Sequence, residues 1–138
     1  MRIALFEPES AGNVGAVLIE PMGFEWDDRR VRRTAMDYID HVDVTRHADF
    51  EDFQASVAGL RLVLFTTRAG SSLYDFRFDA GDVLLFGKES AGVTEAVARA
   101  SDAQVRIPMR AQVRSLNLAT SAALALGEAL RQTGGLPG

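Results

Sequence analysis

The stretch VLLFGKESAGV, residues 83 to 93, joins an apolar run to a turn bounded by two glycines. The mostly apolar residues Asp82 to Gly87 have the length and continuous hydrophobicity of a strand that is buried on both faces. Gly92 closes the polar turn, and Val93 to Ala100 follows with the spacing of a helix. A buried strand, a glycine turn and a helix in this order predict one unit of a parallel α/β sheet.

The same alternation continues on both sides of this unit. Further strands are predicted at Arg2 to Phe6, up to Leu18 and Ile19, and at His41 to Val44, Arg61 to Thr67 and Ala103 to Met109. Helices are predicted from the capping residues Asp27 and Asp28 to Tyr38, from Asp49 to Val57 ahead of Gly59, and from the capping residue Ser115 to Thr133. The final helix carries an apolar stripe at three- and four-residue spacing, formed by Leu116, Ala119, Ala123, Leu126 and Leu130. The pattern predicts one α/β domain, residues 1–138, with a mostly parallel sheet flanked by helices.

Composition and charge exclude several function classes. With 47% apolar and 25% charged residues, the chain matches a globular domain with one hydrophobic core. The absence of cysteine excludes disulfides, thiolate metal sites and thiol nucleophiles. The first apolar run, Ile3 to Phe6, is too short for a signal peptide and no run is long enough to span a membrane, which predicts a cytoplasmic protein. The net charge of −4 argues against indiscriminate nucleic-acid binding, although Arg29, Arg30, Arg32 and Arg33 form a local basic run.

Ligands of parallel sheets bind beyond the carboxyl ends of the strands, and three loops qualify here: 66–72, 87–92 and 109–115. The glycine-bounded loop is not a Walker loop, because Gly87 and Lys88 are followed by Glu89 and no glycine lies five residues before Gly87. A carboxylate beside bare backbone suits a neutral or cationic ligand with hydrogen-bond donors, such as S-adenosylmethionine. The alternative is an ordinary strand-to-helix turn whose glycines serve backbone geometry alone.

Several motifs, in order, resemble a known enzyme class. The segment 83–93, taken with VRIPMRAQVRSLNLATSAALALGEAL at residues 105–130, resembles the last two motifs of the SPOUT class of S-adenosylmethionine-dependent RNA methyltransferases. The stretches FEPESAGNVG, IEPMGFEWDDRRVRRTAMDY and VTRHADFEDF are similar to the branch that methylates the 2'-hydroxyl of the wobble cytidine or uridine in tRNA. The resemblance extends over nearly the whole chain.

This resemblance implies a cofactor site and a topology. S-adenosylmethionine is expected to contact Phe65, Gly87, Ile107 and Ser115, and a larger side chain at Gly87 is expected to fill the gap between backbone and cofactor. The C-terminal segment is expected to form a deep trefoil knot, an exception to the unthreaded connections of most folds.

The implied chemistry needs no metal. Ser115 and Asn117 are the expected catalytic residues, together with an arginine that relatives carry after the N-x-G motif, and both also have the chemistry of helix caps. For His41 and His47 we predict surface positions rather than a role as bases.

The resemblance also implies two partners, the anticodon stem-loop of tRNA and a second copy of the chain in a homodimer that builds each site from both subunits. Arg29, Arg32, Arg33 and Arg114 are the candidates for contacts with RNA phosphates. Without the resemblance, a solvated helix face is the better explanation of the basic run at 29–33.

The chain departs from this family between its first two strands. Relatives carry a crossover helix with the arginine after GNVG, whereas this chain passes from Gly15 through Ala16 and Val17 directly to Leu18. A parallel crossover with a helix needs roughly a dozen residues or more. Either the chain has lost the helix and its arginine, or the natural chain has a segment here that this sequence lacks. The second is favoured because loss of a crossover would expose core.

Two other functions remain open. A non-catalytic knotted protein that binds RNA or the cofactor would explain the missing arginine. A flavodoxin-like binder of small molecules with no RNA partner would explain the acidic net charge.

Overall fold

The sheet is built from seven parallel strands. The computed structural model describes residues 1–6, 17–19, 45–88, 91–112 and 117–136. Within them lie β1 (Arg2–Phe6), β2 (Val17–Ile19), β3 (Arg46–His47), β4 (Leu62–Phe65), β5 (Ser71–Ser72), β6 (Val83–Phe86) and β7 (Ala103–Arg106). The strands form one sheet in the order β3-β2-β1-β6-β4-β7-β5, and every pair is parallel. The predicted parallel sheet is therefore confirmed.

Three helices lie within the described residues: α1 (Phe50–Ser56), α2 (Glu95–Ala100) and α3 (Leu118–Thr133). The Asp49 side chain accepts a hydrogen bond from the Asp52 main-chain nitrogen at 2.7 Å, and Thr94 caps α2 in the same way, because the first amides of a helix lack main-chain partners. None of these helices is long and apolar enough to cross a membrane. The helix predicted to end at Tyr38 and the strand predicted at 41–44 lie outside the described residues.

Two of the strands, β3 and β5, were not predicted. Each contains only two residues, Arg46–His47 and Ser71–Ser72, and neither has an apolar run. They exist because longer neighbours offer free main-chain groups, as in the pairing of Ser71 with Val105 and of Ser72 with Arg106. Short polar edge strands leave no periodic signal in the sequence.

Both faces of the sheet are covered, which explains why its central strands are apolar at every position. One face packs against α3, and its buried residues are Leu5, Val63, Phe65, Leu73, Phe78, Leu84, Phe86, Val105, Leu118, Ala125 and Ala129. The other face packs against α1 and α2, and its buried residues are Ala4, Phe6, Phe53, Val57, Leu62, Leu64, Val83, Leu85 and Val97. Alternate residues of each central strand thus enter different halves of the core.

The predicted apolar stripe of the final helix is wrong in part: Leu126 and Leu130 are half-buried, but the fully buried residues of the helix are others. The residues of α3 that are buried against the sheet are Leu118, Ala125 and Ala129, whereas Ala119 and Ala123 are exposed. The helix is apolar at most positions, so its periodicity fits more than one face. Two of the three buried residues, Ala125 and Ala129, have small side chains that leave room for close packing against the sheet.

The C-terminal end of α3 is tied to the segment before β6. Gln132 donates to the Phe76 carbonyl oxygen at 2.9 Å and accepts from the Phe78 main-chain nitrogen at 2.9 Å. Glu128 accepts a further hydrogen bond from Gln132 at 3.0 Å. Hydrogen bonds from Arg131 and Gln132 lower the pKa of Glu128 to about 2, so this carboxylate is an ionised acceptor at neutral pH.

A buried ion pair closes the opposite end of the sheet, where β4 and β6 begin. Arg61 donates to both carboxylate oxygens of Asp82, from Nε at 2.8 Å and from Nη2 at 2.6 Å. Asp82 is 1% exposed and also accepts from the Asp79 main-chain nitrogen at 2.9 Å. The hydrogen bond with Asp82 raises the pKa of Arg61. This pair lies at the amino ends of the strands, away from the loops that the sequence indicates as a ligand site.

The connection between β1 and β2 is short for a parallel pair. Ala4 pairs with Val17 and Phe6 with Ile19, so the chain must return along the length of β1 within residues 7–16. Ten extended residues span roughly 33–36 Å, which is sufficient for the return. The parallel pairing of β1 with β2 is thus compatible with a ten-residue connection, and residues 7–16 themselves lie outside the described residues.

Candidate functional site

The carboxyl ends of β6, β4 and β7 meet at one rim of the sheet. Phe65 at the end of β4 pairs with Phe86 on one side and with Val105 on the other. Gly87 and Ile107 lie one and two residues beyond those partners. Three of the four residues expected to contact the cofactor therefore lie at adjacent strand ends, and the fourth, Ser115, lies outside the described residues.

Phe65 contributes to this rim through its main chain. Its ring is buried and stacks on Phe86 with centroids 4.8 Å apart and on Phe78 at 6.2 Å. The next residue, Thr66, donates its main-chain N–H to the Val105 carbonyl oxygen at 2.9 Å. Because the ring is part of the core, the groups of Phe65 available to a ligand are those of its peptide.

The glycine-bounded loop closes on itself. Lys88 and Gly92 exchange two main-chain hydrogen bonds, from the Lys88 nitrogen at 3.1 Å and from the Gly92 nitrogen at 2.8 Å. Gly92 has a φ of +69°, in the region that favours glycine. A Cβ on Gly87 would lie 2.5 Å from two main-chain atoms of Gly92 and 2.9 Å from the Val93 nitrogen. The structure thus requires glycine at 87 for loop closure.

The need for glycine at position 87 has a different physical cause from the one that the resemblance implies. The expectation was that a side chain there would fill a gap between backbone and cofactor. In the structure the atoms that a Cβ would meet first belong to the loop's own backbone at Gly92 and Val93. A substitution would therefore act on the cofactor indirectly, by displacing residues 88–92.

The neighbouring loop after β4 is also ordered by its own contacts. The Thr66 hydroxyl accepts from the Arg68 main-chain nitrogen at 3.3 Å, and the Thr66 carbonyl oxygen accepts from the Ala69 nitrogen at 3.3 Å. Ala69 is buried, whereas Thr67 and Arg68 are exposed. The loop thus presents polar groups at the rim from a fixed turn.

After β7 the chain presents a mixed surface to the same rim. Ile107 is half-buried and packs against the core on the α3 side. Pro108 has no N–H for a ladder hydrogen bond, which agrees with the end of β7 at Arg106. Arg110 is exposed in the following turn. Arg114, predicted to contact RNA, lies outside the described residues, as do Arg29, Arg32 and Arg33.

The cap of the final helix differs from the prediction. Ser115 was expected to cap it, but α3 begins at Leu118 and its capping residue is Asn117. The Asn117 Oδ1 accepts from the Ala119 and Thr120 main-chain nitrogens at 2.9 and 3.3 Å. Since its oxygen is engaged in capping, the Asn117 group that remains for a substrate is the side-chain NH2, a donor.

We expect Asn117→Asp and Asn117→Ala to separate capping from chemistry. The aspartate keeps a capping oxygen but has no NH2, so stability should be nearly unchanged while methyl transfer falls if the amide contacts the substrate. The alanine should lower the free energy of unfolding by about 1 kcal/mol. Thermal unfolding and single-turnover methyl transfer measure the two effects. An aspartate variant with full activity would show that Asn117 serves only as a cap.

His47 is not the surface residue that the sequence predicted. It is 7% exposed, its Nδ1 lies 2.9 Å from the Asp52 Oδ2, and its ring packs edge-on against Phe53 at 5.6 Å. The position follows from β3, which was not predicted. His41 lies outside the described residues, and among those described we find no group of acidic or histidine side chains that could hold a metal ion.

Comparison with known proteins gives a consistent family assignment. The model of the SpoU rRNA Methylase family matches residues 9–127. A tRNA (cytidine(34)-2'-O)-methyltransferase from Beijerinckia indica is 47% identical over 97% of this chain and 92% of its own length. A solved structure described as giving structural insights into the 2-OH methylation of C/U34 on tRNA superposes with a TM-score of 0.90 at 37% identity, covering 97% and 96% of the two chains.

A further solved structure contains the cofactor. It is a SpoU methyltransferase from Streptomyces viridochromogenes in complex with AdoMet, with a TM-score of 0.84 and 27% identity. The match covers 94% of this chain and 56% of that one.

The alignment with the Beijerinckia protein also bears on the short connection. It extends over 148 positions and includes 97% of the 138 residues here, about 134, which leaves about 14 positions without a residue of this chain. A difference of this size is about the length of a crossover helix with its loops.

Proposed function

The chain belongs to the SpoU rRNA Methylase family, and from this premise we propose that it methylates the ribose 2'-oxygen of the wobble nucleotide, cytidine or uridine, in tRNA with S-adenosylmethionine as methyl donor. The observation that carries the proposal is the rim formed by β4, β6 and β7, where a closed loop that requires Gly87 adjoins Phe65 and Ile107. The tRNA methyltransferase relatives named above support the same reaction.

The residues at the rim suit the donor molecule. The peptide of Phe65, the loop behind Gly87, the half-buried side chain of Ile107 and the hydroxyl of Ser115 would hold it. Main-chain groups can hydrogen-bond an adenosine, and Ile107 offers apolar surface to its base. S-adenosylmethionine bound there would supply an electrophilic methyl group to the ribose 2'-oxygen and leave as S-adenosylhomocysteine, and the 2'-hydroxyl proton would pass to a base.

The contribution of the chain to the chemistry is chiefly alignment. Holding two reacting groups in line can lower a barrier by about 7–11 kcal/mol without a metal. The Asn117 NH2 and the Ser115 hydroxyl are proposed to orient the ribose at the start of α3. Asn117 suits this role because two hydrogen bonds at 2.9 and 3.3 Å fix its side chain.

RNA binding is proposed to depend on the arginines at positions 29, 32, 33 and 114. Replacing Arg32 and Arg33 with alanine should weaken binding of the anticodon stem-loop, because each removes a cation that can neutralise a phosphate. The slope of log affinity against log salt concentration should fall by about one for each arginine. Fluorescence anisotropy between 50 and 200 mM salt, in the range where such slopes are measured, tests this. A salt response equal to that of the wild type would remove both residues from the interface.

The proposed assembly is a homodimer of single-domain chains, each with a C-terminal trefoil knot. The outer face of α3 supports a dimer because Ala119 and Ala123 are exposed there and Leu124 is 41% exposed, a small apolar surface suited to a second copy. With tRNA as substrate, the expected compartment is the cytoplasm. Sedimentation of the purified chain measures the assembly state.

The deciding experiment is methyl transfer to unmodified tRNA. We expect labelled methyl from S-adenosylmethionine to appear as a 2'-O-methylated nucleotide at the wobble position after nuclease digestion. Binding of RNA and cofactor without transfer would instead favour the non-catalytic protein, whose support is the short β1–β2 connection. Absence of any RNA binding would contradict the proposed function.

The intact mass of the chain from its native source addresses the crossover separately. A mass more than about 1 kDa above 15.0 kDa would show that the natural chain has the extra segment of roughly a dozen residues. A mass of 15.0 kDa together with full activity would show that the reaction proceeds without the arginine of that helix.

A further inference from the structure

One aromatic side chain stands out on the surface at the rim. Tyr74 is 60% exposed, more than the other exposed large apolar residues Leu60, Leu124 and Leu136. It follows β5, whose partner β7 leads into the loop at 107–112. No ring or cation in the described part of the chain contacts the Tyr74 ring. A tyrosine that is 60% exposed at the rim of the proposed ligand site needs a physical reason.

The backbone that carries Tyr74 is held firmly. Leu73 is fully buried, and its main-chain N–H donates to the Arg106 carbonyl oxygen at 2.8 Å. The Ser72 hydroxyl accepts from the Tyr74 nitrogen at 3.3 Å, and the Ser72 carbonyl oxygen accepts from the nitrogens of Asp75 and Phe76, each at 3.1 Å. The ring therefore projects from a fixed turn, which lowers the entropic cost of using it as a contact surface.

The segments around β5 and at the end of β7 are rich in arginine although the protein is acidic. Segments 66–76 and 106–110 contain three arginines, Arg68, Arg106 and Arg110, against the single carboxylate of Asp75, while the whole chain has a net charge of −4. Arg68 and Arg110 are exposed. Within the described residues none of the three arginine side chains forms an ion pair, unlike Arg61, Arg99 and Arg131. Their charges are thus available to an anionic partner.

We propose that Tyr74 is a stacking platform for an unpaired nucleobase of the RNA substrate, with Arg68, Arg106 and Arg110 neutralising the adjoining phosphates. An exposed ring among cations is the combination that binds single-stranded nucleic acid, because every base has a face to stack and every nucleotide a negative charge. The inference rests on the proposed function and adds to it a second contact with the anticodon loop. This contact requires bases that are not paired.

The position of the platform indicates which base it binds. Gly87 follows β6 and Tyr74 follows β5, and the order β6-β4-β7-β5 places three strand spacings between them. Three spacings amount to about 14 Å across the rim. The base on Tyr74 therefore belongs to a neighbour of the methylated nucleotide and not to that nucleotide itself.

The test compares Tyr74→Ala, Tyr74→Leu and Tyr74→Phe in the full-length chain. The probes are an anticodon stem-loop RNA and a blunt duplex with the sequence of its stem. We expect alanine and leucine to weaken stem-loop binding by about 5- to 150-fold, the equivalent of 1–3 kcal/mol of base stacking. Phenylalanine, which keeps the flat ring, should remain within about twofold of the wild type. Duplex affinity and affinity for S-adenosylmethionine should not change.

Leu60→Ala is the matched control, since Leu60 is 37% exposed and precedes β4 at the opposite rim. Three outcomes would each contradict the stacking role of Tyr74. They are an equal loss of affinity for the stem-loop and the duplex, wild-type stem-loop affinity in Tyr74→Leu, and dissociation of the assembly in Tyr74→Ala. If the wild type methylates tRNA and Tyr74→Ala binds the stem-loop with wild-type affinity, the stacking role is wrong and the proposed function stands. A wild-type chain that binds no RNA overturns the platform and the proposed function together.

Discussion

Replacing Gly87 with valine is expected to reduce affinity for S-adenosylmethionine by roughly a hundredfold or more. The first atom of any side chain at 87 would lie 2.5 Å from main-chain atoms of Gly92, and backbone cannot move aside as a flexible side chain can. Forced repacking of this kind costs typically 1–3 kcal/mol, which corresponds to about 5- to 150-fold in an equilibrium constant. Valine lies at the upper end because it is branched. Titration calorimetry with S-adenosylmethionine or its demethylated product measures the loss.

Alanine and a distant glycine refine this test. Gly87→Ala introduces only the Cβ, so it should already show much of the effect if the contact with Gly92 is responsible. Gly81→Ala is the matched control, because a Cβ there meets no atom within 4 Å and Gly81 precedes β6 at the opposite rim. Undiminished cofactor affinity in Gly87→Val would show that the loop at 88–92 is not part of the cofactor site.

Replacing Asp82 with alanine should lower the free energy of unfolding by about 3 kcal/mol, the lower end of the range for breaking a buried ion pair. The variant loses both hydrogen bonds from Arg61 and leaves the Asp79 main-chain nitrogen without its acceptor. The lower end applies because the Arg61 side chain is 35% exposed and water can partly solvate it. Urea unfolding monitored by circular dichroism gives the free energy.

Asp79→Ala is the control for this pair. Asp79 also approaches Arg61, at 3.5 Å, but its side chain is 74% exposed, so its removal should cost less than about 1 kcal/mol. Equal destabilisation in the two variants would show that the contribution of Asp82 to the free energy of unfolding does not depend on its burial. Neither residue lies near the carboxyl rim. Both variants should therefore bind S-adenosylmethionine as tightly as the wild type when the affinity is measured at a temperature at which they are fully folded.

Local sequence patterns were sufficient to predict a strand or a helix where the pattern is compatible with only one kind of element. The apolar runs at 62–65 and 83–86 predict strands that are buried on both faces, and in the structure every side chain of these two strands is buried. The helix predicted from Asp49 begins there, with Asp49 as its cap, whereas the helix predicted from Val93 begins only after the cap Thr94. The alternation of strands and helices along the chain predicts that the ligand rim lies at the carboxyl ends of the strands.

Other features depended on long-range packing. The inner face of α3 could not be predicted, because the helix is apolar at most positions and its periodicity fits more than one face. Only packing against the sheet determines that Leu118, Ala125 and Ala129 are buried. His47 became buried because β3 joins the edge of the sheet beside β2, a pairing of two residues that has no periodic signal. The need for glycine at 87 arose from Gly92, five residues away, whose backbone folds back to within 2.5 Å of a Cβ at that position.

The pattern along the chain thus predicts the parallel α/β architecture, which the structure confirms, and the edge of the sheet proposed to bind a ligand, since both follow from hydrophobic periodicity and the order of strands and helices. It also contained the motifs from which the family is read. Which face of a helix turns inward, which oxygen is occupied in a cap and which aromatic ring remains in water were decided by contacts between distant segments. Such contacts depend on side-chain volume and main-chain hydrogen bonding in three dimensions, and no local pattern encodes them.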